Sequence, residues 1–371
     1  MPSAIAQDLL PAAGTEPRSP DKTAKIDLGL YSLAWSPDGQ QLAVGGRGSV
    51  RIYRMPDFVE DRTFNTDQQE IWALAWARDN STLATAGKDG TVQLWRDGAL
   101  QKKFVQGAWI FDLSWKPDGS SLLAADYSGL AKEWDMGGFL RAAIQLDGDG
   151  LAIDWSPDGR FFAVGTGHDG SRLLLFDSVS AELKWRRQDI PKTYRPPFGY
   201  GRDEVNGLRY SPDARWIATA LQDGRVVVRS AETGEIAYQA QLHGSGIEGT
   251  RRVAWSPRGD WIVSCGEDGR VTCVQYPDGK ERWDLLESEK AVWSVGWSPD
   301  GRWIAAVGEE GKVWVWATDF LPAPAAPAPV IASSTKPKSP SHVVSHNSKK
   351  HYASRKPAKK TFWGWLRGLF R

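Results

Sequence analysis

The sequence predicts an all-β fold: a seven-bladed β-propeller closed by an N-terminal strand, followed by a disordered basic tail with a short C-terminal amphipathic helix. The first observation is a five-residue turn, WSPDG, present three times unchanged and four times as a near-copy. The copies begin at Trp35, Trp76, Trp115, Trp155, Tyr210, Trp255 and Trp297. The second observation is their spacing of 41, 39, 40, 55, 45 and 42 residues, because such a period indicates a repeat array. The third is that each repeat carries signals for four short strands, as a propeller blade does.

Within a repeat, the WSPDG turn joins two apolar strands. Ile71–Trp76 precedes one copy, and Gln41–Gly46 follows another. Proline presets φ, aspartate tolerates the next position and glycine adopts positive φ at the last, which together suit a tight hairpin. A second turn, built on Asp-Gly in four repeats, leads into an alternating third strand such as Thr91–Trp95. A less regular fourth strand closes most repeats.

These features resemble those of the WD-repeat β-propeller family, over residues 25–319. The dipeptide that gives the family its name is literal at Trp134–Asp135 and approximate at Phe176–Asp177. The Gly-His pair that often stands earlier in a family repeat is missing, so we expect the hydrogen-bond network that it supports to be incomplete. The resemblance also implies that the loop between one blade's fourth strand and the next blade's first strand lies on the top face.

The last repeat ends at its third strand, near Trp316. We expect Lys25–Leu28 to supply the missing fourth strand, so that the chain ends meet in one blade and no long edge stays open. The predicted organisation is a disordered leader (1–23), the propeller (24–319), a Pro/Ala and then basic linker (320–360) and an amphipathic terminal segment (361–371).

The bulk composition is that of a soluble globular protein. Two cysteines in 371 residues exclude a disulfide framework and favour a reducing compartment. Cys265 and Cys273 flank one predicted hairpin, either as two buried strand residues or facing each other across it. No secretory signal stands at Met1–Leu10, and no run of 18 apolar residues is present, so we expect a cytoplasmic protein. The alternative is a peripheral position at the inner face of a membrane.

Motifs for catalysis are missing from the sequence: it has no HExxH, Walker loop, GxSxG or CxxC. We therefore predict no enzyme, catalytic residue, metal site, cofactor or small-molecule substrate. A propeller enzyme that uses the channel mouth is the alternative, and a carboxylate or histidine cluster there would favour it. A loose metal site at His342, His346 and His351 is a weak alternative, because no cysteine or carboxylate accompanies these histidines.

A candidate binding site comes from the residue four positions before each repeat aromatic, at the start of the innermost strand. The family geometry implies that these seven residues ring the top mouth of the central channel. They are Tyr31, Trp72, Phe111, Leu151, Asn206, Arg251 and Trp293. Large aromatics with a few polar groups are typical of a site that anchors a peptide of a protein partner. The alternative is that these rings only pack between blades.

The irregular step of 55 residues contains an insert within 188–206. The family geometry places it on the top face, where a set of tyrosine, phenylalanine and arginine residues would extend the binding surface. They are Tyr194, Arg195, Phe198, Tyr200 and Arg202. A merely solvated loop is the alternative.

The C-terminal tail differs in charge from the rest of the chain. It carries ten lysines and arginines after Asp319 and no acidic residue, so the net charge of +1 leaves residues 1–319 at 1 − 10 = −9. Placed on a helix, its apolar residues fall within an arc of about 160°, the pattern of an interfacial membrane helix. They are Phe362, Trp363, Trp365, Leu366, Leu369 and Phe370, with Arg367 and Arg371 on the other side.

The sequence thus predicts a non-catalytic scaffold that binds a protein partner and is tethered by its tail to an anionic membrane surface. Two alternatives concern other classes: the tail as a short linear motif that docks into a partner protein, and a Tol-type periplasmic propeller, whose repeats also favour SPDG. The tail aromatics do not interleave with the basic residues, so no specific nucleic-acid binding is predicted.

Overall fold

A computed structural model describes residues 17–26, 29–167, 172–188, 204–244 and 249–322. Over these ranges the chain contains 28 β-strands and no helix. The strands form seven antiparallel sheets of four strands each, which confirms the predicted all-β, seven-bladed propeller. The chain divides into two units, Met1–Pro324 and Ala325–Arg371. The second unit, with the predicted terminal helix, lies outside the described residues.

In every blade the strands run from the channel outward. The innermost strands are β2 (Leu30–Trp35), β6 (Ile71–Trp76), β10 (Ile110–Trp115), β14 (Asp149–Trp155), β18 (Val205–Tyr210), β22 (Thr250–Trp255) and β26 (Val292–Trp297). The second strands are β3 (Gln41–Gly46), β7 (Thr82–Gly87), β11 (Ser121–Asp126), β15 (Phe161–Gly167), β19 (Trp216–Leu221), β23 (Trp261–Gly266) and β27 (Trp303–Gly308).

The two outer positions complete each sheet. The third strands are β4 (Ser49–Arg54), β8 (Thr91–Arg96), β12 (Leu130–Asp135), β16 (Arg172–Asp177), β20 (Arg225–Ser230), β24 (Arg270–Gln275) and β28 (Lys312–Ala317). The outermost strands are β5 (Val59–Asn65), β9 (Ala99–Val105), β13 (Leu140–Gln145), β17 (Leu183–Gln188), β21 (Ile236–Gln241), β25 (Arg282–Glu287) and β1 (Lys22–Lys25).

The strand β1 closes the ring. It pairs antiparallel with β28, so the seventh blade takes its outermost strand from the N-terminus. The strand lies three residues earlier than the predicted Lys25–Leu28, and the predicted bounds were wrong. Arg18 also contacts this blade, because the Trp316 indole N–H donates to the Arg18 carbonyl oxygen at 3.0 Å. The described residues therefore include 17–23 of the segment expected to be a leader.

The apolar core lies between blades. One buried cluster joins Leu94 of the second blade to Leu113 and Leu122 of the third, and neighbouring blades around the ring share similar clusters. The repeat aromatics add polar links between blades. The indole N–H of Trp115 donates to the Ala75 carbonyl oxygen at 3.0 Å, one blade back. Trp35 and Trp255 make the same link to the preceding blade, whereas the Trp297 indole donates to Gly301 of its own turn. The repeat aromatic therefore ties three of the seven blades to a neighbour by a hydrogen bond.

The WSPDG turn is held by its own side chains. The Ser36 hydroxyl donates to Asp38 Oδ1 at 2.6 Å and accepts from the Gln41 backbone N–H at 2.9 Å. Asp38 Oδ1 also accepts from the Gln40 N–H at 3.0 Å. The φ of Gly39 is 69°, as the sequence pattern requires. The same Ser–Asp contact recurs in the blades that keep both residues.

Glutamine replaces histidine in the inter-strand network that we expected to be incomplete. The Thr85 hydroxyl donates to Gln68 Oε1 at 2.6 Å and accepts from the Trp95 indole at 3.1 Å. In the sixth blade, His243 performs this role without a preceding glycine: Nε2 lies 2.8 Å from Ser264 Oγ. The expectation was wrong for these blades, because an amide and an imidazole both offer a donor and an acceptor.

The two cysteines are free and buried. They are not cross-strand partners: Cys265 lies opposite Val271, and Cys273 lies opposite Val263. Burial raises the pKa of the Cys265 thiol to about 12. Both belong to one apolar cluster, so of the two sequence interpretations the structure supports buried strand residues.

Candidate functional site

A cavity of about 430 Å³ opens at the end of the channel where the innermost strands begin. All seven residues of the predicted ring line it, one from each blade. The repeat explains this convergence, because each residue takes the second or third position of its innermost strand and every blade presents that position to the channel. The structure thus brings the predicted ring together in one place.

One side of the mouth is aromatic, and we call it the aromatic arc: Tyr31, Trp72, Trp109, Phe111, Tyr127 and Trp293. Trp72 and Phe111 stack at 4.9 Å between ring centroids and 9° between planes. Trp109 meets the Trp72 ring edge-on at 5.8 Å, and Tyr127 lies 5.5 Å from Trp109. Across the seam between the last and first blades, Tyr31 lies 6.4 Å from Trp293. The rings therefore pack against each other and also form the cavity wall.

The opposite side of the mouth is polar. Asn206 is buried, and its amide donates to Gln222 Oε1 at 2.8 Å and to the Thr250 carbonyl oxygen at 2.9 Å. Arg251 forms an ion pair with Glu267 and donates to Asn206 Oδ1 at 3.3 Å. Burial raises the pKa of the Glu267 carboxyl, and the Arg251 charge opposes that rise. These side chains form one connected network.

Two arginines cross the channel below the cavity. Arg209 of the fifth blade holds Asp112 of the third with contacts of 2.9 and 3.3 Å. Arg252 of the sixth blade donates to the Phe111 carbonyl oxygen at 2.8 Å and also to the Asn206 carbonyl oxygen. The cavity therefore has a floor built from guanidinium groups whose donors are bonded to the protein itself.

A further carboxylate stands beside this floor. Asp154 accepts from the Ser114 hydroxyl and from the Tyr210 backbone N–H, both at 2.9 Å. Burial raises the pKa of Asp154 to about 6, against the opposing effects of Arg209 and of these two hydrogen bonds. The interior of the channel therefore holds a carboxyl group whose pKa lies well above that of an ordinary aspartate.

Several residues at the mouth were not predicted from the sequence, although they occupy regular positions. Glu70 and Glu204, which line the cavity, and Trp109, which packs on Trp72, stand two residues before the ring positions, just ahead of the first residue of their strands. Tyr127, Gln222 and Glu267 each follow the end of a second strand directly. The first of these registers could have been found from the two-residue period of a strand. The positions of Tyr127, Gln222 and Glu267 could not, because they depend on the residue at which each second strand ends.

Other predicted residues lie outside the described part of the chain. They are the insert residues Tyr194, Arg195, Phe198, Tyr200 and Arg202, and the tail residues from Phe362 to Arg371. Their roles stay predictions.

Among the described residues, the mouth shows no cluster of carboxylates or histidines suited to catalysis. The three lining glutamates come from three blades, and Glu70 is paired with Lys88 at 3.2 Å as Glu267 is with Arg251. Within the described ranges, no group of three or more histidine, cysteine or acidic residues could hold a metal ion. No helix that could span a bilayer is found in that part of the chain either.

The family model described as "WD domain, G-beta repeat" matches six segments of the chain. The segments are residues 22–54, 59–96, 147–171, 195–230, 239–274 and 280–317, which together make up more than half of the chain. The third blade, β10–β13, lies outside these matches, yet it has the same strand order as the others. It contributes Phe111 and Tyr127 to the cavity.

Three curated proteins are similar to parts of the chain. WD repeat-containing protein 1 of Gallus gallus is 34% identical over 22% of this chain and 14% of its own length. Protein HIR1 of Kluyveromyces lactis is 26% identical over 57% of this chain and 23% of its own length. The target of rapamycin complex subunit wat1 of Schizosaccharomyces pombe is 25% identical over 58% of this chain and 69% of its own length.

The chain therefore covers less than a quarter of the length of the first two relatives. No enzyme family is indicated by these matches. With repeats matched over more than half of the sequence and seven blades in the structure, the chain belongs to the WD domain, G-beta repeat family.

Proposed function

We propose that this protein is a non-catalytic scaffold that holds a segment of a protein partner in the cavity at the channel mouth. The observation that carries the proposal is that one residue from each of the seven blades lines a single cavity with an aromatic and a polar side. Its volume of about 430 Å³ falls in the range of ligand pockets. Aromatic and arginine side chains are also those that dominate binding energy at protein interfaces.

The relatives support a role in an assembly. One of them, the wat1 protein, is named as the subunit of a complex, and this chain matches 69% of its length. That name describes wat1 and identifies no partner for this chain. A scaffold role is consistent with a rigid ring whose seven blades offer separate surfaces.

The cavity proposal is tested by capture of partners from a lysate of the source cells with Trp72→Ala and Arg251→Ala variants of the full chain. We expect both variants to lose the captured proteins while they keep the melting temperature to within a few degrees. Phe139→Ala is the matched control, because Phe139 belongs to the third blade and is 72% exposed away from the cavity. Equal capture by the wild type and both variants would reject the cavity as the binding site.

The tail is proposed to tether the propeller to an anionic membrane surface at the cytoplasmic side. The support is in the sequence: six large apolar side chains within one arc, ten positive charges and no acidic residue after Asp319. Partial burial of six such side chains contributes on the order of 5–9 kcal/mol before ordering costs. Nearby lysines and arginines add up to about 1 kcal/mol each at an anionic leaflet.

Liposome flotation tests the tether. We expect the full chain to float with vesicles that contain phosphatidylserine, and a chain that ends at Asp319 to stay at the bottom with the same vesicles. Neutral vesicles are the control for the charge contribution. If the full chain does not float with either vesicle, the second candidate replaces the tether: the tail as a short linear motif that docks its aromatic face into a partner protein.

A further inference from the structure

We propose that the cavity selects its partner segment by one basic side chain, a lysine or an arginine, held against the aromatic arc. This inference rests on the proposed function and adds the chemical class of the ligand. It draws on the ring faces, the charges of the lining and the floor of the cavity.

The aromatic arc offers the kind of surface that attracts a cation. A ring face carries partial negative charge, so an ammonium or guanidinium within about 6 Å of the centroid is stabilised. The protein already shows this contact at the same mouth, because the Arg251 guanidinium lies 5.2 Å from the centroid of Trp293. The Trp72, Phe111 and Tyr127 rings line the cavity on the side away from Arg251. A cation from a partner would find aromatic neighbours there.

The charges of the lining disfavour an anion. Three glutamates, Glu70, Glu204 and Glu267, and two arginines, Arg251 and Arg252, line the cavity. Glu70 is paired with Lys88 and Glu267 with Arg251, so these carboxylates are already neutralised within the protein. An anionic ligand would need free arginine donors. The Arg251 charge is compensated by Glu267. The guanidinium group of Arg252 donates to two backbone carbonyl oxygens, those of Asn206 and Phe111.

The field of the whole propeller acts in the same direction. Residues 1–319 carry a net charge of 1 − 10 = −9, because ten lysines and arginines and no acidic residue follow Asp319 in a chain of net charge +1. A negative body concentrates cationic partners near its surface and raises their rate of association. An acidic segment would be repelled before it reached the cavity.

The floor limits how much of the ligand can enter. Arg209 and Arg252 reach from the fifth and sixth blades to Asp112 and Phe111 of the third, below the cavity. A segment therefore inserts from the open side and does not thread the channel. A volume of about 430 Å³ suits one long side chain with part of its backbone.

The test selects peptides from a phage library of random twelve-residue sequences on the immobilised full chain. We expect the enriched peptides to share one lysine or arginine. The best peptide is then synthesised with that residue replaced by norleucine or citrulline, which keep most of the shape and remove the charge. Titration calorimetry should show a loss of affinity of about 5- to 30-fold for the uncharged peptide.

Variants of the protein locate the contact. Trp72→Ala should weaken the basic peptide by about 5- to 30-fold, and Glu70→Gln, which keeps the side-chain volume, by about 2- to 5-fold. Phe139→Ala should bind as the wild type does. The uncharged peptide should be insensitive to Glu70→Gln, which a purely structural effect of that substitution would not reproduce.

The outcomes separate this inference from the proposed function. Enriched peptides that share an acidic or apolar residue and lose binding in Trp72→Ala would overturn the basic ligand and leave the cavity as the binding site. Peptides that bind Trp72→Ala and Arg251→Ala as well as the wild type would overturn both. A library with no enriched sequence at all would count against both as well.

Discussion

Single residues show how far the repeat tolerates departures from its consensus. The last position of the WSPDG turn has positive φ in all seven blades, whether it holds glycine, asparagine or alanine. Ala214 has a φ of 60° there, and Asn80 has a φ of 55°. A β-carbon in this region costs about 1–2 kcal/mol, whereas glycine adopts it freely. Alanine lacks a side chain that could hydrogen-bond locally, as asparagine can, so the fifth blade carries local strain that the five glycine turns avoid.

Ala214→Gly should stabilise the propeller. Relief of the left-handed backbone is partly offset by the greater entropy that glycine has in the unfolded chain, so we expect a gain of about 0.5–1 kcal/mol. Urea unfolding monitored by circular dichroism measures it. The matched reverse is Gly119→Ala, since Gly119 has a φ of 74° and its β-carbon would meet nothing within 4 Å. That variant should lose a similar amount. Equal stabilities of both variants and the wild type would show that the turns are not strained.

Asp154 should make the stability fall with rising pH. Its folded pKa of about 6 lies above the usual value of 3.8, so the folded protein binds the proton more tightly than the unfolded chain does. Its contribution is therefore fully present below about pH 4 and is lost as the pH rises through 6. The size is roughly 1–3 kcal/mol, because the side chain is partly exposed to the channel. Urea midpoints from pH 4 to 8 measure the slope.

The Asp154→Asn variant is the control for this slope. It keeps the side-chain volume and cannot titrate, so its stability should change less between pH 4 and 7 than that of the wild type. The test concerns the difference between the two profiles, because other carboxyl groups contribute to both. Parallel profiles would mean that Asp154 does not titrate in this range.

The ring residues were predictable because they depend only on the strand repeat. Tyr31, Trp72 and Trp293 stand at one fixed distance from the repeat aromatic, and the seven blades carry that register to one place. Glu267 and Gln222 could not be predicted in this way. Each is the first residue after a second strand, and the direction of its side chain is set by the geometry of the turn that begins there. The floor was not predictable either. The contact of Arg209 with Asp112 joins residues 97 positions apart, which no local pattern encodes.

Among the elements, β1 shows where strand prediction has the least information. Its sequence is KTAK, and its residues alternate between half-buried and exposed. An outermost strand faces solvent and so carries little of the apolar pattern that marks inner strands. The segment Lys25–Leu28 contains the apolar Ile26 and Leu28 and so fits a strand pattern better than KTAK does. The existence of the closing strand followed from the count of strands, and its register followed only from its pairing with β28.

Loss of β1 should destabilise the whole ring, because the seventh blade would be left with an open edge at β28. A chain that lacks residues 1–26 removes the β1 pairing and the contact of Arg18 with Trp316. We expect its melting temperature to fall by about 10 °C or more. A chain that lacks residues 1–16 keeps β1 and serves as the control for shortening. Identical melting of the two shortened chains would show that this closure adds no stability.

For the whole molecule, the two proposed contacts stand on one chain with opposite charges: an acidic propeller with a cavity, and a basic tail. If each contact binds its own ligand on the same surface, the second binding event becomes intramolecular. Such a protein would act by holding its partner at the membrane. Neither contact has to be strong, since the combined affinity exceeds either one.

Vesicles that carry both phosphatidylserine and the selected basic peptide on a lipid anchor should therefore bind the full chain about 10²- to 10⁴-fold more tightly than vesicles with either ligand alone. The chain that ends at Asp319 and the Trp72→Ala variant should each fall back to the affinity of the single remaining contact. Vesicle binding at a series of lipid concentrations measures all three proteins, with Phe139→Ala as the control for substitution of an aromatic residue. An association constant for the mixed vesicles that equals the sum of the two single-ligand constants would contradict this prediction. The propeller and the tail would then not act together on one surface.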